Sequence, residues 1–205
     1  MNAEKNIAAV VPEFYHIELQ EMPMPTVRPD DVLIRVEYVG ICGSNIHMFQ
    51  HGPTQPPTDP NTKLVFGHEC AGTVVGLGSA VKKFQIGDRV VIEPGVPCGK
   101  CKYCLSGHYN LCPDVDFIDV QPTYYGALRK YLAFPASSTY LLPENVSTLE
   151  GALVEPAAVG MHAAEKGGAA PGKKIVILGA GCIGLMTLQA CRIMGASEII
   201  VVDLV

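Results

Sequence analysis

The stretch KIVILGAGCIG, residues 174–184, decides the fold of the later part of this 205-residue chain. Its first five residues form an almost continuous apolar run, which is typical of a parallel strand covered on both faces. A glycine-rich turn and a helical pattern follow, with the helix ending at Met194 and capped by Gly195. Residues 198–203 form a second strand pattern. The order of strand, helix and strand predicts one βαβ unit.

The glycines of this turn have the spacing Gly-x-Gly-x-x-Gly, which lets a pyrophosphate approach the backbone at a helix amino terminus. Asp203 ends the second strand 19 residues after Gly184, where a carboxylate can accept from a ribose 2′-hydroxyl and repels a 2′-phosphate. The alternative is a packing turn with a solvated aspartate. The combined context favours a binding site for NAD over NADP, and the predicted cofactor residues are Gly179, Gly181, Cys182, Ile183, Gly184 and Asp203.

Before this unit, short β-like runs are separated by glycine, proline and asparagine. They cover residues 7–11, 16–21, 32–38, 73–77, 89–92 and 139–142. The clearest alternation places Ile34, Val36 and Tyr38 on one face of a strand. These runs predict an irregular β-barrel, and the change to alanine-rich helical patterns predicts a boundary near residue 150. We therefore expect one domain over residues 1–150 and another over residues 151–205.

Four cysteines lie close together in the first of these domains, at Cys98, Cys101, Cys104 and Cys112. Such a set can surround one tetrahedral ion that has no open position, so its role is structural. Iron–sulfur ligation is an alternative, but the spacing to the fourth cysteine differs from the common ferredoxin run. Four free thiols are the other alternative. A thiolate-rich site without a second cluster motif favours zinc, so we predict a structural-zinc lobe over residues 95–113.

A second metal site is predicted from Cys42, His68 and either Glu69 or Glu155. One thiolate, one imidazole and one carboxylate would leave the fourth position of a zinc ion for water or substrate. Cys42 could instead be a small buried residue, and His68 could be a hydrogen-bonded core histidine. Spacing alone leaves both alternatives open.

At these residues the chain resembles the zinc-dependent medium-chain dehydrogenases, in particular the sorbitol (polyol) dehydrogenase branch. The matching motifs are the Gly-His-Glu string with its later glycines over residues 67–81, Gly-Ile-Cys-Gly-Ser over 40–44 and Gly-Asp-Arg-Val over 87–90. The resemblance covers about residues 7–205. It implies a mixed fold, a GroES-like irregular β-barrel catalytic domain followed by the start of an α/β Rossmann domain, in a chain that is truncated within that second domain.

The resemblance also implies an activity. Two zinc ions, one catalytic and one structural, would serve hydride transfer from a secondary alcohol to NAD, with Ser44 and His47 as the proton relay. Glu155, followed by Pro156, stands where alcohol dehydrogenases have a second cysteine, which favours a polyol such as sorbitol or xylitol. L-Threonine or butanediol dehydrogenase is the alternative within the family. A catalytically inert, zinc-stabilised fragment or interaction module is the alternative from another class.

Two positions depart from the family pattern. Asn45 stands where relatives commonly have an aspartate that supports a zinc-bound histidine, so we expect a less basic histidine ligand. Met48 replaces a tyrosine near the substrate, so we expect a different pocket. We expect small buried side chains at Cys70, Cys182 and Cys191. We expect surface side chains at His51 and His108.

Composition excludes several partners. The net charge is −5 and no lysine or arginine run is present, which argues against a nucleic-acid surface. No apolar run reaches the roughly 20 residues that span a bilayer. The chain contains eight cysteines and lacks a secretory signal pattern, so metal ligation is a better explanation than disulfides. We expect a cytoplasmic enzyme that acts on a small molecule, without nucleic-acid or membrane partners, and that forms homo-oligomers when full length.

Overall fold

The computed structural model describes residues 4–53, 59, 61–120 and 125–204. The chain divides into two compact units, residues 1–152 and 153–205. The strands are β1 Asn6–Glu13, β2 His16–Met22, β3 Asp31–Gly40, β4 Glu69–Leu77, β5 Arg89–Ile92, β6 Gly95–Val96, β7 Asp116–Phe117, β8 Tyr131–Pro135, β9 Thr139–Leu141, β10 Lys174–Leu178 and β11 Glu198–Val202. The helices are α1 Gly43–His51, α2 Lys102–Leu105, α3 Thr148–Gly151, α4 Val154–Lys166 and α5 Cys182–Ile193.

A five-stranded antiparallel sheet forms the centre of the first unit, in the order β8-β3-β4-β5-β9. Its core consists of fully buried apolar side chains, including Ile34, Val74, Val90 and Phe134. Burial of each of these side chains contributes roughly 1.5–3 kcal/mol relative to exposure, so the core gives this unit a rigid frame. The hairpin β1-β2 and the short pair β6-β7 form separate two-stranded sheets.

Strand β3 contains a bulge that changes which residues face the core. Val36 pairs with Gly72 and Tyr38 pairs with Ala71, so Glu37 is an extra residue between two consecutive pairs. Ile34 is buried, but Tyr38 is 45% exposed, so the predicted common face for these two residues is wrong. Beyond the bulge, Gly40 pairs with Glu69 at the start of β4.

The second unit contains the predicted βαβ arrangement. Strands β10 and β11 pair in parallel, and α5 connects them. Helix α4 packs closely on α5, because a Cβ at Gly160 would lie 2.6 Å from the backbone of Met186. Ala164, Ile177 and Cys191 form the buried centre. The apolar side chains exposed on these two strands include Val176, Leu178, Ile200 and Val202.

None of the helices in residues 4–53, 59, 61–120 and 125–204 has the length and apolarity needed to cross a membrane.

Candidate metal centres and nucleotide-binding turn

Three predicted ligands come together where β3 and β4 lie side by side. Cys42 is half-buried and immediately precedes α1, whereas His68 and Glu69 are buried at the start of β4. One potential ligand atom from each side chain lies within 4.8 Å of the other two. A thiol, an imidazole and a carboxylate at this separation fit the donor set of an open zinc site.

His68 is held by a buried carboxylate. Its Nδ1 atom lies 2.7 Å from Oδ2 of Asp119, and its ring packs edge-on against Phe117 with 5.3 Å between the ring centroids. Burial lowers the pKa of His68, but the hydrogen bond and charge of Asp119, together with Cys42, outweigh burial and raise the pKa to about 9. With Nδ1 engaged by Asp119, Nε2 is the nitrogen that can bind a metal.

Asp119 changes the interpretation of Asn45. The Asp119 side chain is fully buried, and its Oδ2 also accepts hydrogen bonds from the Gly67 backbone amide at 3.0 Å and from Nδ2 of Asn45 at 2.6 Å. The expectation of a less basic histidine ligand, made from Asn45, is therefore wrong, because a carboxylate distant in sequence supplies the charge. The signal for Asp119 was present in the sequence, since this acidic residue follows the apolar residues Phe117 and Ile118.

The other residues predicted for the open site differ in their surroundings. Ser44 and His47 are exposed on α1, and the ring centroid of His47 lies 4.8 Å from that of His51. Glu155 lies in the first turn of α4, in the second unit. The proposed roles of Ser44, His47 and Glu155 stay predictions.

Met48 packs with Val11 and Phe66, and only 6% of its surface is exposed. In this structure its side chain stabilises the contact between α1 and its neighbours, which is the packing role expected of a flexible apolar residue.

The four cysteines of the predicted zinc lobe also come together. Their sulfur atoms all lie within 4.8 Å of one another, and Sγ of Cys104 is 3.5 Å from Sγ of Cys101 and 4.0 Å from Sγ of Cys98. Backbone amides of Lys100 and Cys101 lower the pKa of the Cys98 thiol to about 7, which favours the thiolate that binds a metal. Four sulfur donors at these distances fit a tetrahedral zinc site.

The predicted nucleotide-binding residues lie around one turn. Gly179 has a φ angle of +104°, which favours glycine, and Gly181 caps the amino terminus of α5. A Cβ at Gly184 would lie 1.9 Å from the Gly179 carbonyl oxygen, so α5 can pack this closely only with glycine there. Oδ2 of Asp203 accepts a hydrogen bond from the Ala180 amide at 2.5 Å, which brings this carboxylate against the turn.

The cysteines outside the two ligand sets have different environments. Cys70 and Cys191 are buried as predicted, and burial raises the pKa of Cys70 to about 12. The prediction for Cys182 is wrong, because its side chain is exposed. Cys182 is the first residue of α5, and a residue at a helix start beside an open turn has few neighbours to cover it. His51 and His108 are exposed as predicted.

Residues 28–144 match the alcohol dehydrogenase GroES-like domain. The chain belongs to this alcohol dehydrogenase family. Its relatives include an uncharacterized zinc-type alcohol dehydrogenase-like protein of Escherichia coli K12, 64% identical over 97% of this chain and 57% of that protein. Sorbitol dehydrogenase of Bacillus subtilis 168 is 43% identical over 96% of this chain and 55% of that enzyme. The chain thus spans little more than half the length of these zinc-type dehydrogenases.

Solved structures of alcohol dehydrogenase relatives have the same fold. An oxidoreductase/dehydrogenase of unknown specificity from Escherichia coli matches with a TM-score of 0.96 and 61% identity, over 98% of this chain and 58% of that chain. A protein described as a zinc-binding dehydrogenase of Sinorhizobium meliloti 1021, bound to NADP, matches with a TM-score of 0.85 and 33% identity. The match covers 97% of this chain and 56% of that chain. The predicted family and fold class, a GroES-like domain in a medium-chain dehydrogenase fold, are confirmed.

Proposed function

We propose that the full-length protein is a zinc-dependent oxidoreductase that transfers hydride from a secondary alcohol, a polyol of the sorbitol or xylitol type, to NAD. The observation that carries this proposal is the convergence of Cys42, His68 and Glu69, whose potential ligand atoms lie within 4.8 Å of one another. The family of the chain and the sorbitol dehydrogenase relative support the substrate class.

In this proposal, Cys42 and His68 hold the catalytic zinc, and Glu69 or Glu155 supplies the third protein ligand. Zinc held by these residues would supply a Lewis acid that makes a substrate hydroxyl group easier to deprotonate. His68 presents Nε2 because Asp119 engages Nδ1 at 2.7 Å. This hydrogen bond fixes the ring orientation before any ligand arrives, as is usual for metal-binding histidines.

The proton of the substrate hydroxyl needs a route to water. We assign this route to Ser44 and His47, which lie one turn apart on α1 and are both exposed. The Ser44 hydroxyl can accept a proton while it donates its own, and a histidine can release a proton to solvent near neutral pH.

The second zinc is assigned to Cys98, Cys101, Cys104 and Cys112. Because all four donors of this set come from the protein, the ion has no open position and its role is structural. It holds the lobe over residues 95–113 in one conformation.

NAD is assigned to the turn formed by Gly179, Gly181, Cys182, Ile183 and Gly184. The Asp203 carboxylate is hydrogen-bonded to the Ala180 amide, so its negative charge lies beside this turn and would repel a 2′-phosphate. A relative of 33% identity binds NADP, so the preference has to be measured on this protein. We expect a kcat/KM at least tenfold higher with NAD than with NADP, and that Asp203→Ala reduces this ratio.

The proposal is tested by assaying the full-length protein with xylitol, sorbitol, butanediol and threonine, each with NAD and NADP. NADH formation with a polyol as the best substrate is the expected result, whereas faster turnover of threonine would overturn the substrate class. Metal analysis with a chelator supplies a second readout. If the protein is a dehydrogenase, the chelator removes one zinc ion and activity is lost with that ion. If it is an inert zinc-stabilised module, it shows no turnover and contains only the lobe's ion.

Several properties accompany this proposal as predictions. We expect homo-oligomers of the full-length protein, a cytoplasmic location, and no nucleic-acid or membrane partner.

A further inference from the structure

A continuous series of hydrogen bonds joins two residues assigned to the open metal site. The Cys42 backbone amide donates to Oδ1 of Asn45 at 3.2 Å, and Nδ2 of Asn45 donates to Oδ2 of Asp119 at 2.6 Å. The same Asp119 oxygen lies 2.7 Å from Nδ1 of His68. Asn45 and Asp119 therefore connect the loop of Cys42 to the ring of His68.

The charge at the centre of this series comes from one residue. Asn45 is 3% exposed and Asp119 is 0% exposed, so solvent does not screen their interaction. Three donors converge on Oδ2 of Asp119, whereas its Oδ1 has no hydrogen-bond partner among the residues that the structure describes. Asp119 thus places its negative charge next to Asn45, Gly67 and His68.

The amide at position 45 follows from the carboxylate at position 119. If Asn45 were an aspartate, two carboxylate oxygens would face each other about 2.6 Å apart in a buried space, and like charges there repel strongly. An asparagine avoids this repulsion because Nδ2 donates to Asp119 while Oδ1 accepts from Cys42. Asparagine therefore satisfies both neighbours, and aspartate at this position would satisfy only one.

We propose that Asp119 and Asn45 are a coupled pair of positioning residues, in which one negative charge supports His68 and the amide carries this alignment to Cys42. This inference rests on the proposed function of the site as a zinc centre. It predicts that the pair requires one carboxylate and one amide. The two positions are not interchangeable, because Asn45, Gly67 and His68 all bond to the same oxygen of Asp119, and no single amide atom could accept two of these bonds and donate the third.

The test uses Asp119→Asn, Asn45→Asp and the double variant in the full-length, zinc-loaded protein. Competition with a chelator measures the affinity of the open site, and the zinc of the cysteine lobe in the same molecule is the internal reference. Asp119→Asn keeps an acceptor oxygen for His68 but removes the charge, so we expect a 10- to 100-fold loss of affinity. Asn45→Asp should lose a similar factor, and the double variant should lose less than the product of the two single losses, because the repulsion that Asn45→Asp creates requires the charge of Asp119.

Asp30→Asn is the matched control, because it removes the same charge at an exposed position of the same unit and should leave both zinc affinities unchanged. Wild-type affinity in Asp119→Asn, or a double variant whose loss equals the product of the two single losses, overturns the inference. If one single variant fails to fold, the lobe also loses its zinc, and the affinity of the other single variant relative to wild type decides.

This experiment separates failure of the pair from failure of the proposed function. An inactive wild-type protein whose open site nevertheless binds zinc would refute the dehydrogenase assignment, while the order of affinities among the variants still tests the pair. An active wild-type protein with equal affinities in all variants would refute only the pair.

Discussion

The cysteine lobe and the open site both bring metal-binding side chains together, but they do so in different ways. The lobe takes its four sulfurs from residues 98–112, around the four-residue helix α2. The open site takes its donors from Cys42 and from the start of β4, and its supporting residue Asp119 lies 51 residues after His68. We therefore expect the lobe, a short segment with little core, to depend on its proposed metal for order, whereas a sheet with a buried core can hold its donors without one.

The local structure of each site agrees with this difference. The sulfur-bearing residues of the lobe are half-buried except Cys112, which is buried, whereas His68 and Glu69 of the open site are both buried. The strands nearest the lobe, β6 and β7, have two residues each. With the two zinc ions proposed above, this difference predicts that the lobe's ion supports folding, whereas the fold positions the ligands of the open site.

The largest effect is expected from Cys104→Ala in the lobe. Structural zinc sites have apparent binding free energies of about 10–16 kcal/mol at neutral pH, so loss of one ligand should remove most of the order of residues 95–113. Limited proteolysis should then cut the lobe, and the melting temperature should fall by several degrees. Lys102→Ala is the control, because it removes an exposed side chain of the same segment and keeps the four thiols. Protease resistance equal to wild type would contradict a metal-dependent lobe.

Cys42→Ser should lower activity and leave stability unchanged, in contrast to Cys104→Ala, which should lower stability. Loss of residues that only support metal ligands commonly costs 10- to 100-fold, so loss of a ligand should lower kcat/KM by more than about 100-fold. Because Cys42 is only half-buried, we expect a melting temperature close to wild type and retention of the lobe's zinc. Gln50→Ala, at an exposed position on α1, should keep full activity. A large fall in stability would show that the open site also depends on its metal for folding.

Gly40→Ala should disturb the open site through the sheet itself. An added Cβ would lie 2.1 Å from Oε2 of Glu69, so this carboxylate must move away from its present position. We expect the zinc affinity of the open site to fall by roughly tenfold, similar to loss of a supporting contact, while the lobe's zinc is unchanged. Gly43→Ala is the matched control, because an added Cβ there would meet no atom within 4 Å. Equal affinities in the two variants would argue against Glu69 as a ligand.

The smallest effect concerns the acid sensitivity of the sheet. Partial burial raises the pKa of Glu37, but hydrogen bonds from Thr148 and Thr73 and the contact with Arg35 outweigh it, so the pKa lies below its usual value. A lowered folded-state pKa gives stability that is present above the unfolded value of 4.5 and is lost as the pH falls through the folded value. Glu37→Gln should therefore cost about 0.5–1.5 kcal/mol at pH 7 and less at pH 3.

Denaturant titrations of Glu37→Gln and wild type at pH 7 and pH 3 measure this difference. A stability difference that stays constant between these two pH values would show that the charge of Glu37 contributes nothing. The zinc content of the lobe at pH 7 should be the same in both proteins, because Glu37 links β3 with β4 and α3.

The sequence predicted much of the fold, and its failures have identifiable physical causes. The βαβ unit was predictable because continuous apolar strands and a glycine turn are local signals. Strand β8 was missed, since Tyr131–Pro135 contains leucine, alanine and proline and becomes a strand through pairing with β3. Tyr38 was placed on the wrong face because a bulge interrupts the alternation, and a bulge is set by the partner strand.

The candidate site shows the same division between local and distant signals. The cysteine lobe follows from spacing, because all its donors are neighbours in sequence. Cys42, His68 and Glu69 were chosen with the help of a resemblance, and their grouping required the pairing of β3 with β4. Asp119 was missed because its contact with Asn45 spans 74 residues. Sequence reasoning from one position alone expected a missing charge that the folded chain supplies from elsewhere.

The extra residue at Glu37 makes the chemistry of this region sensitive to chain length. A bulge bends its strand and increases the local twist, so deletion of Glu37 would keep the pairs on either side but change the direction in which β3 leads into the following loop. An exchange of one side chain for another at position 37 leaves that geometry intact. Changes in length here should therefore be tolerated far less than changes in residue type.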